Sequence, residues 1–552
     1  MRNNTKLFLF AITCGILTSN HLIAQSIQNN FSNITLGEVH GNIQLDAQYY
    51  IPDSTIGAPK VPEKMLSNGF ANINYTRGKF TAGIRYESYL NALQGFDARY
   101  QGNGLEYRFA SYKSDALEVT IGNFYQQFGS GLVLRSYEER GLGFDNALDG
   151  FRLKYEPIKG VYLTGLTGKQ RSFMTYGTGV VRGFDGEMQV NETFAKLSDK
   201  KLKVMIGGSF VSRFQSADNP SLVLPENVGA SAGRFQLSRN NFNLNGEFAS
   251  KINDPNATNN KIYRPGDAQL LTASYAMKGF AVSVSAERSD NMNFRSDRNA
   301  TLNNLLLNYT PALNKNHTYS LLTFYPYASQ PNGEFQSSEE VNWKAIKKSN
   351  YKLDITVNYS AANDLDTTHS LSVDEAHNFQ GYKTKSYSFG KTTIFRDFYV
   401  EVNQKFGKKY KASLIYSYQE YNKGIIQEPG APTIYSSIIV ADLTYRMQGE
   451  KTVRVELQNL STKQDKHDWA QAMVEYTYNT NWFGALLDQY NYGNEISKER
   501  YHYYSATIGY TKNANRITLS YGKQRQGIFC VGGICRQVPA SNGITLSVTS
   551  SF

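Results

Sequence analysis

Apolar and polar residues alternate at every second position along most of this chain, the pattern of strands whose two faces meet different surroundings. From Tyr351 to Ser360 the apolar set is Tyr351, Leu353, Ile355, Val357 and Tyr359, against Lys352, Asp354, Thr356, Asn358 and Ser360. Phe80, Ala82, Ile84 and Tyr86 stand against Thr81, Gly83, Arg85 and Glu87. Val453, Val455 and Leu457 stand against Thr452, Arg454, Glu456 and Gln458, and 280–287 and 410–419 repeat the pattern. Strands are predicted throughout, the first near 41–51 and the last at 543–552.

Short turns centre near Gly78, Ser114, Ile158, Lys200, Asn240, Lys278, Leu313, Ser349, Lys408, Glu450, Thr480 and Ala514. Their spacing, about 40 residues, holds two strands, a turn and a long loop; a propeller blade of that length would show several short turns per repeat. The count gives about 26 antiparallel strands, an even number that puts both ends of the wall on one side. Long loops are expected at 52–68, 169–182, 214–231, 253–266, 327–339, 362–383 and 422–434.

Alternation alone also fits a soluble sandwich. Three features favour a closed barrel facing lipid. The strands run to about ten residues, enough to cross a bilayer when tilted. Tyrosines gather at strand ends (Tyr49, Tyr50, Tyr416, Tyr418, Tyr476, Tyr478, Tyr501, Tyr503 and Tyr504), where an apolar ring with a polar tip suits a lipid–water boundary. The last strand alternates Ile544, Leu546 and Val548 with Thr545, Ser547 and Thr549 and stops at Phe552. That ending resembles the C-terminal signal by which outer-membrane barrels are recognised by the barrel-assembly machinery, and Phe552 is its terminal residue. The fold class is therefore all-β: a large antiparallel transmembrane barrel. Short turns bearing Lys79, Lys113, Lys159, Lys200, Lys201, Lys278, Lys315, Lys348, Lys408, Lys409 and Lys451 lie on the periplasmic side, and long loops outside.

Composition agrees. The chain has 552 residues with 39 Tyr, 31 Phe and 45 Gly, and a mean hydropathy of −0.47. Abundant aromatics exclude disorder, and a polar average excludes a bundle of membrane helices. Arg2 and Lys6, then apolar Leu7–Leu17, then Leu22-Ile23-Ala24 form a secretory signal, so residues 1–24 are expected to be cleaved. Residues 25–36 are a short periplasmic segment, and 37–552 the barrel. The net charge is +11, but its lysines fall singly at turns rather than in one patch, so no nucleic-acid partner is expected. Cys530 and Cys535 flank Val-Gly-Gly-Ile in an exported chain, and a disulfide across that hairpin, outside the cell, is predicted.

Residues 128–150, FGSGLVLRSYEERGLGFDNALDG, combine five glycines with mixed charge. Flexible backbone and opposite charges suit a loop folded into the lumen, so Arg135, Glu138, Glu139, Arg140, Asp145 and Asp149 are the candidate luminal residues; an exposed loop with incidental ion pairs is the alternative. No catalytic residue, cofactor or metal site is assigned. Phe389-Gly390-Lys391-Thr392-Thr393 lacks the upstream glycine of a phosphate-binding loop, where Lys385 stands, and a strand follows it. Gly129-Ser130-Gly131 lacks the spacing of a nucleophile elbow. Asp364, Asp366, His369, Asp374, Glu375 and His377 crowd one loop, yet without the regular spacing of a calcium site. His40, His317, His467 and His502 are scattered and read as interfacial or luminal.

The stretch Gly129–Gly150, with Leu134-Arg135 and Leu142-Gly143-Phe144-Asp145-Asn146, and the ending Phe529–Gly543, FCVGGICRQVPASNG, resemble an outer-membrane β-barrel family of the Bacteroidota type whose function is unknown. The resemblance spans most of the chain past the signal and implies location and architecture, not a reaction. A barrel this wide needs filling, since 22-stranded transporters already carry a plug. In-folded loops, a flattened section or a partner in the lumen would each serve. The functional expectation is a channel or pore with in-folded loops for polar solutes or polymers. The alternative is a non-transporting subunit of a secretion or assembly complex, with a partner occupying or capping the lumen. Outer-membrane lipid, the barrel-assembly machinery and envelope proteins are the expected partners.

Overall fold

Twenty-four strands pair into one closed antiparallel sheet in the computed structural model, which describes residues 37–552 apart from 331, 349, 370–380 and 532–533. Each strand pairs with its neighbour along the chain, and the last, Ser541–Ser551, pairs with the first, Glu38–Tyr50, from Asn42↔Ser551 to Tyr50↔Gly543. Main-chain bonds of 2.9 and 3.0 Å between Gly41 and Phe552 carry the seam to the final residue. The Phe552 ring fills the space that a side chain at position 41 would need, which explains the glycine there. Closure removes the open edges that hydrocarbon cannot satisfy.

The alternation resolves into an outside and an inside. Phe80, Ile84 and Tyr86 are 62, 45 and 43% exposed, whereas Arg85 and Glu87 between and beyond them are 3 and 1%. Leu457 faces out while Glu456 and Gln458 face in, and Tyr359 faces out while Asn358 and Ser360 face in. An apolar exterior around a polar interior reverses the order of a soluble protein and matches a barrel bathed in lipid. Near the short turns, cross-strand aromatic pairs such as Phe80–Tyr112, Tyr410–Tyr445 and Trp482–Tyr510, each with centroids 4.8–4.9 Å apart, form part of a boundary girdle. Tyr50 instead points inward and is buried. Among the described residues no helix is long and apolar enough to cross a membrane.

Several expectations are corrected. The barrel has 24 strands rather than about 26, because the turn predicted at Leu313 does not form: the described residues of 291–332, between Phe280–Asp290 and Gly333–Lys348, contribute no wall strand. Lys315 therefore does not lie at a periplasmic turn. The loop expected at 169–182 is a tight turn at Phe173-Met174 joining Val161–Ser172 to Thr175–Gln189, with a register shift between Tyr176 and Val180. Its run of Gly, Thr and Tyr satisfies ladder pairing as readily as a loop. Strands Tyr351–His369 and Tyr382–Phe406 extend well into the loop expected at 362–383. The connection at Lys200 is longer than a turn and holds the short helix Val190–Thr193. The proposed signal and the segment 25–36 lie outside the described residues.

Candidate functional site

Two stretches leave the wall and fold into the lumen. The first, residues 125–147, departs from Leu117–Phe124 and returns at Leu148–Ile158. Gly129 (φ 52°) and Gly131 (φ 102°) adopt left-handed backbone that side chains disfavour. A side chain on Gly129 would also strike the wall carboxylate of Glu247, which accepts the Ser130 N–H at 2.6 Å. This turn delivers Phe128, Leu132, Val133 and Leu134 into a fully buried cluster with Leu166, Val181, Val211 and Val228 of the wall. A dry core thus forms inside the lumen, each such side chain contributing about 1.5–3 kcal/mol.

Three of the six predicted luminal charges join this docking. Glu138 meets Arg85 and Arg140, each at 3.0 Å. Asp145 meets Arg171 at 2.8 Å and also Arg85, and accepts from the Tyr125 hydroxyl at 3.1 Å. Glu87 completes the network, 2.7 Å from both Arg85 and Arg171. Arg140 reaches on to Gln44 and lies over the Phe70 ring. Three guanidinium groups thus balance three carboxylates in a site where Arg85, Glu87 and Arg171 are almost wholly buried. Arg135 is luminal but acts otherwise, its guanidinium lying between the Tyr137 and Tyr309 rings at 4.3 and 4.0 Å. Glu139 lies in the same hairpin with no ion pair among the described residues. Asp149 is a correction: it belongs to the strand Leu148–Ile158 and pairs with Arg108 at 3.1 Å, apart from the cluster, because pairing of the wall resumes at Leu148.

The described residues of the second stretch, 291–332, form a plug in place of the two strands that a turn at Leu313 predicts. It is bound to the first through Arg135 N–H to the Leu307 carbonyl (2.7 Å) and Tyr309 N–H to the Gly131 carbonyl (2.9 Å). Asn146 and the wall residue Gln170 both donate to the Leu306 carbonyl. Beneath its start, Asp254 lies between Lys251 and Arg213 at 3.1 and 3.0 Å. Burial works against the Asp254 carboxylate, but these two cations outweigh it and hold the group below the ordinary carboxylate range. Further on, the plug crosses the barrel on single bonds: Lys315 to Glu340 (2.6 Å), His317 with Asp397 (2.6 Å), Tyr319 to Asp442 (2.9 Å) and the Leu321 N–H to Gln458 (2.9 Å). Leu321, Leu322, Tyr325 and Tyr327 then build a second buried cluster against Ile394, Phe395, Ile415, Tyr421 and Ile438 of the wall.

The hairpin Gly527–Val531/Ile534–Val538 leaves the wall between the last two barrel strands, with Cys530 and Cys535 as register partners. It also bends over the lumen, where the Cys535 carbonyl accepts from Asn303 at 3.3 Å and Arg536 lies over Phe96. The other candidates are dispersed. Gly390 sits within the strand Tyr382–Phe406. Asp366 pairs with Lys385, Asp364 accepts the Thr392 N–H, and residues 374, 375 and 377 lie outside the described residues. No group of three His, Cys, Asp or Glu residues suited to a metal occurs among the described residues. His317 is luminal, whereas His40, His467 and His502 sit at partly or largely exposed ion pairs. Sequence reasoning missed Arg171 and the wall anchors Glu340, Asp397 and Asp442. The available signal was the chemistry of the polar strand face, which repeats charged and amide pairs such as Arg85/Glu87 and Glu456/Gln458.

The architecture is that of a closed β-barrel with internal stretches packed in its lumen. The chain belongs to the family of unknown function DUF6029, whose model matches residues 4–552. No curated protein matches it. Among solved structures it is similar to the P pilus usher (PapC) translocation pore, with 8% identity, TM-score 0.43, and coverage of 93% of this chain and 99% of that one. It is also similar to the siderophore receptor PirA from Pseudomonas aeruginosa, with 10% identity, TM-score 0.40, and coverage of 93% and 80%. For the outer membrane protein opdK from Pseudomonas aeruginosa the values are 10%, 0.31, 93% and 98%.

Proposed function

We propose that this chain is an integral outer-membrane channel, Bacteroidota in type, that moves polar solutes or polymers past an internal plug made from its own residues 125–147 and 291–332. One observation carries the reading: these two stretches bond to each other through Arg135, Leu307, Gly131 and Tyr309 inside a 24-stranded ring. Wide barrels that transport selectively are plugged, and a plug that is part of the chain restricts the lumen without a partner. The outward apolar face supports insertion in lipid, and Phe552 at the seam supports its role as the assembly signal. The facing Cys530 and Cys535 support a bridge that stiffens the hairpin over the mouth. The role is carriage rather than catalysis, with no cofactor. The alternative of a secretion-complex subunit retains a cap as its partner, because the chain's own segments already take up luminal space.

The test is planar-bilayer conductance of the full chain beside a variant in which 300–326 is replaced by a short flexible linker. The native protein is expected to show small steps and the variant much larger ones. Silence from both, with envelope proteins co-purifying, would favour the structural subunit.

A further inference from the structure

A cavity of about 350 Å³ lies between the inward face of the last wall strands and Ser320 and Thr323 of the plug. Its lining is one-sided in charge: Lys523 and Arg525 contribute, and among the described residues no carboxylate does. Lys523 is matched from outside the lining by Asp53 at 2.8 Å. Arg525 has no such match. The Asp465 carboxylate, whose field reaches it, is already held by Lys423 at 2.9 Å and by the Tyr325 hydroxyl at 3.3 Å. Arg85, Arg171 and Lys315, by contrast, each meet a carboxylate directly. The Arg525 guanidinium lies over the Phe324 ring of the plug at 3.8 Å, which occupies a face and leaves the in-plane N–H groups to donate. One donates to the Gln526 carbonyl at 3.2 Å, and the others have no hydrogen-bond partner among the described residues. Ser505 and Thr545 also line the cavity, with hydroxyls that have no partner among the described residues.

We infer that this cavity is a binding site for a hydroxylated carboxylate of sugar-acid size, with the carboxylate on Arg525 and the hydroxyls on Ser505 and Thr545. A guanidinium offers a planar fork of donors that fits a carboxylate, and a charge-assisted bond of this kind is about twice as strong as a neutral one. One unmatched cation balances one negative charge, which favours a monoanion over a phosphate dianion. A hydroxyl both donates and accepts, so Ser505 and Thr545 can meet ligand hydroxyls in either sense. The volume falls at the lower end of small-molecule pockets, about 300–1,000 Å³. The site goes beyond the channel reading, because binding here does not require the cavity to conduct.

The experiment is isothermal titration calorimetry of the full chain in detergent micelles, with gluconate and glucose as size-matched probes. Gluconate is expected to bind about tenfold tighter than glucose or more, the worth of one charge-assisted fork. Arg525→Gln should lose that margin, and Arg525→Lys should keep part of it, since the charge stays while the fork goes. Thr545→Val should weaken gluconate about threefold. Arg99→Gln, which alters an exposed arginine paired with Asp97, should change nothing. Equal affinity for the two probes, no binding of gluconate, or native gluconate affinity in Arg525→Gln each overturns the site. Inorganic phosphate binding as tightly as gluconate overturns the sugar-acid class. Should Arg525→Gln not fold, Thr545→Val carries the test, and native affinity there overturns the placement. Every arm reads binding rather than flux, so these failures leave the channel reading standing, and a barrel silent in a bilayer leaves the site standing.

Discussion

The two in-folded stretches are held in opposite ways. Residues 125–147 are latched by a compact set of buried charges, with Arg85, Arg171 and Arg140 against Glu87, Asp145 and Glu138. Beyond its well-bonded start, the second stretch spans the lumen from Lys315 on scattered single bonds and gains much of its hold from apolar packing around Leu321 and Leu322. A charge latch is all-or-none, because removing one partner strands another charge in a dry site, whereas an apolar seat weakens in proportion to the atoms removed. The first stretch thus behaves as a fixed post and the second as a bar resting on it, joined at Leu307 and Tyr309.

That contrast can be broken in graded steps. Arg171→Ala leaves Glu87 and Asp145 sharing Arg85 and should cost about 3–5 kcal/mol; protease should then cut within 125–147 of the folded barrel, where the native chain resists. Leu322→Ala should cost about 2–4 kcal/mol, read from the urea midpoint in micelles, and should raise conductance while leaving 125–147 protected. Tyr309→Ala removes one face of the Arg135 sandwich at a cost of about 1–2 kcal/mol, and should loosen both stretches together because they share that joint. Lys466→Ala breaks only an exposed pair with Glu499 and should shift the midpoint by less than about 1 kcal/mol. Raising salt should erase even that difference while leaving the Arg171 effect intact, since buried pairs are screened far less.

The wall was legible in the sequence because lipid and lumen impose one period on every strand, as at 80–87 and 451–458. The plug was only half legible. Residues 128–150 stand out by glycine density and paired opposite charge, and in the structure Glu138, Arg140 and Asp145 make ion pairs there. Residues 291–332 hid because a plug buries apolar residues against the lumen wall. Leu305 and Leu307, then Leu321, Tyr325 and Tyr327, are spaced much like lipid-facing residues, and Pro311–Asn314 between them imitates a turn. That single false turn accounts for the two surplus strands. Pattern along a chain reports that a side chain is buried, not whether membrane or protein buries it.

The most direct test of a lumen closed by the chain itself is disulfide trapping between plug and wall in the intact protein. Ser320→Cys with Gln471→Cys joins positions whose native side chains are hydrogen-bonded across the lumen. The account predicts spontaneous cross-linking in the folded barrel, released by reductant, with conductance held low until release. Two free thiols, both open to a membrane-impermeant reagent, would contradict it.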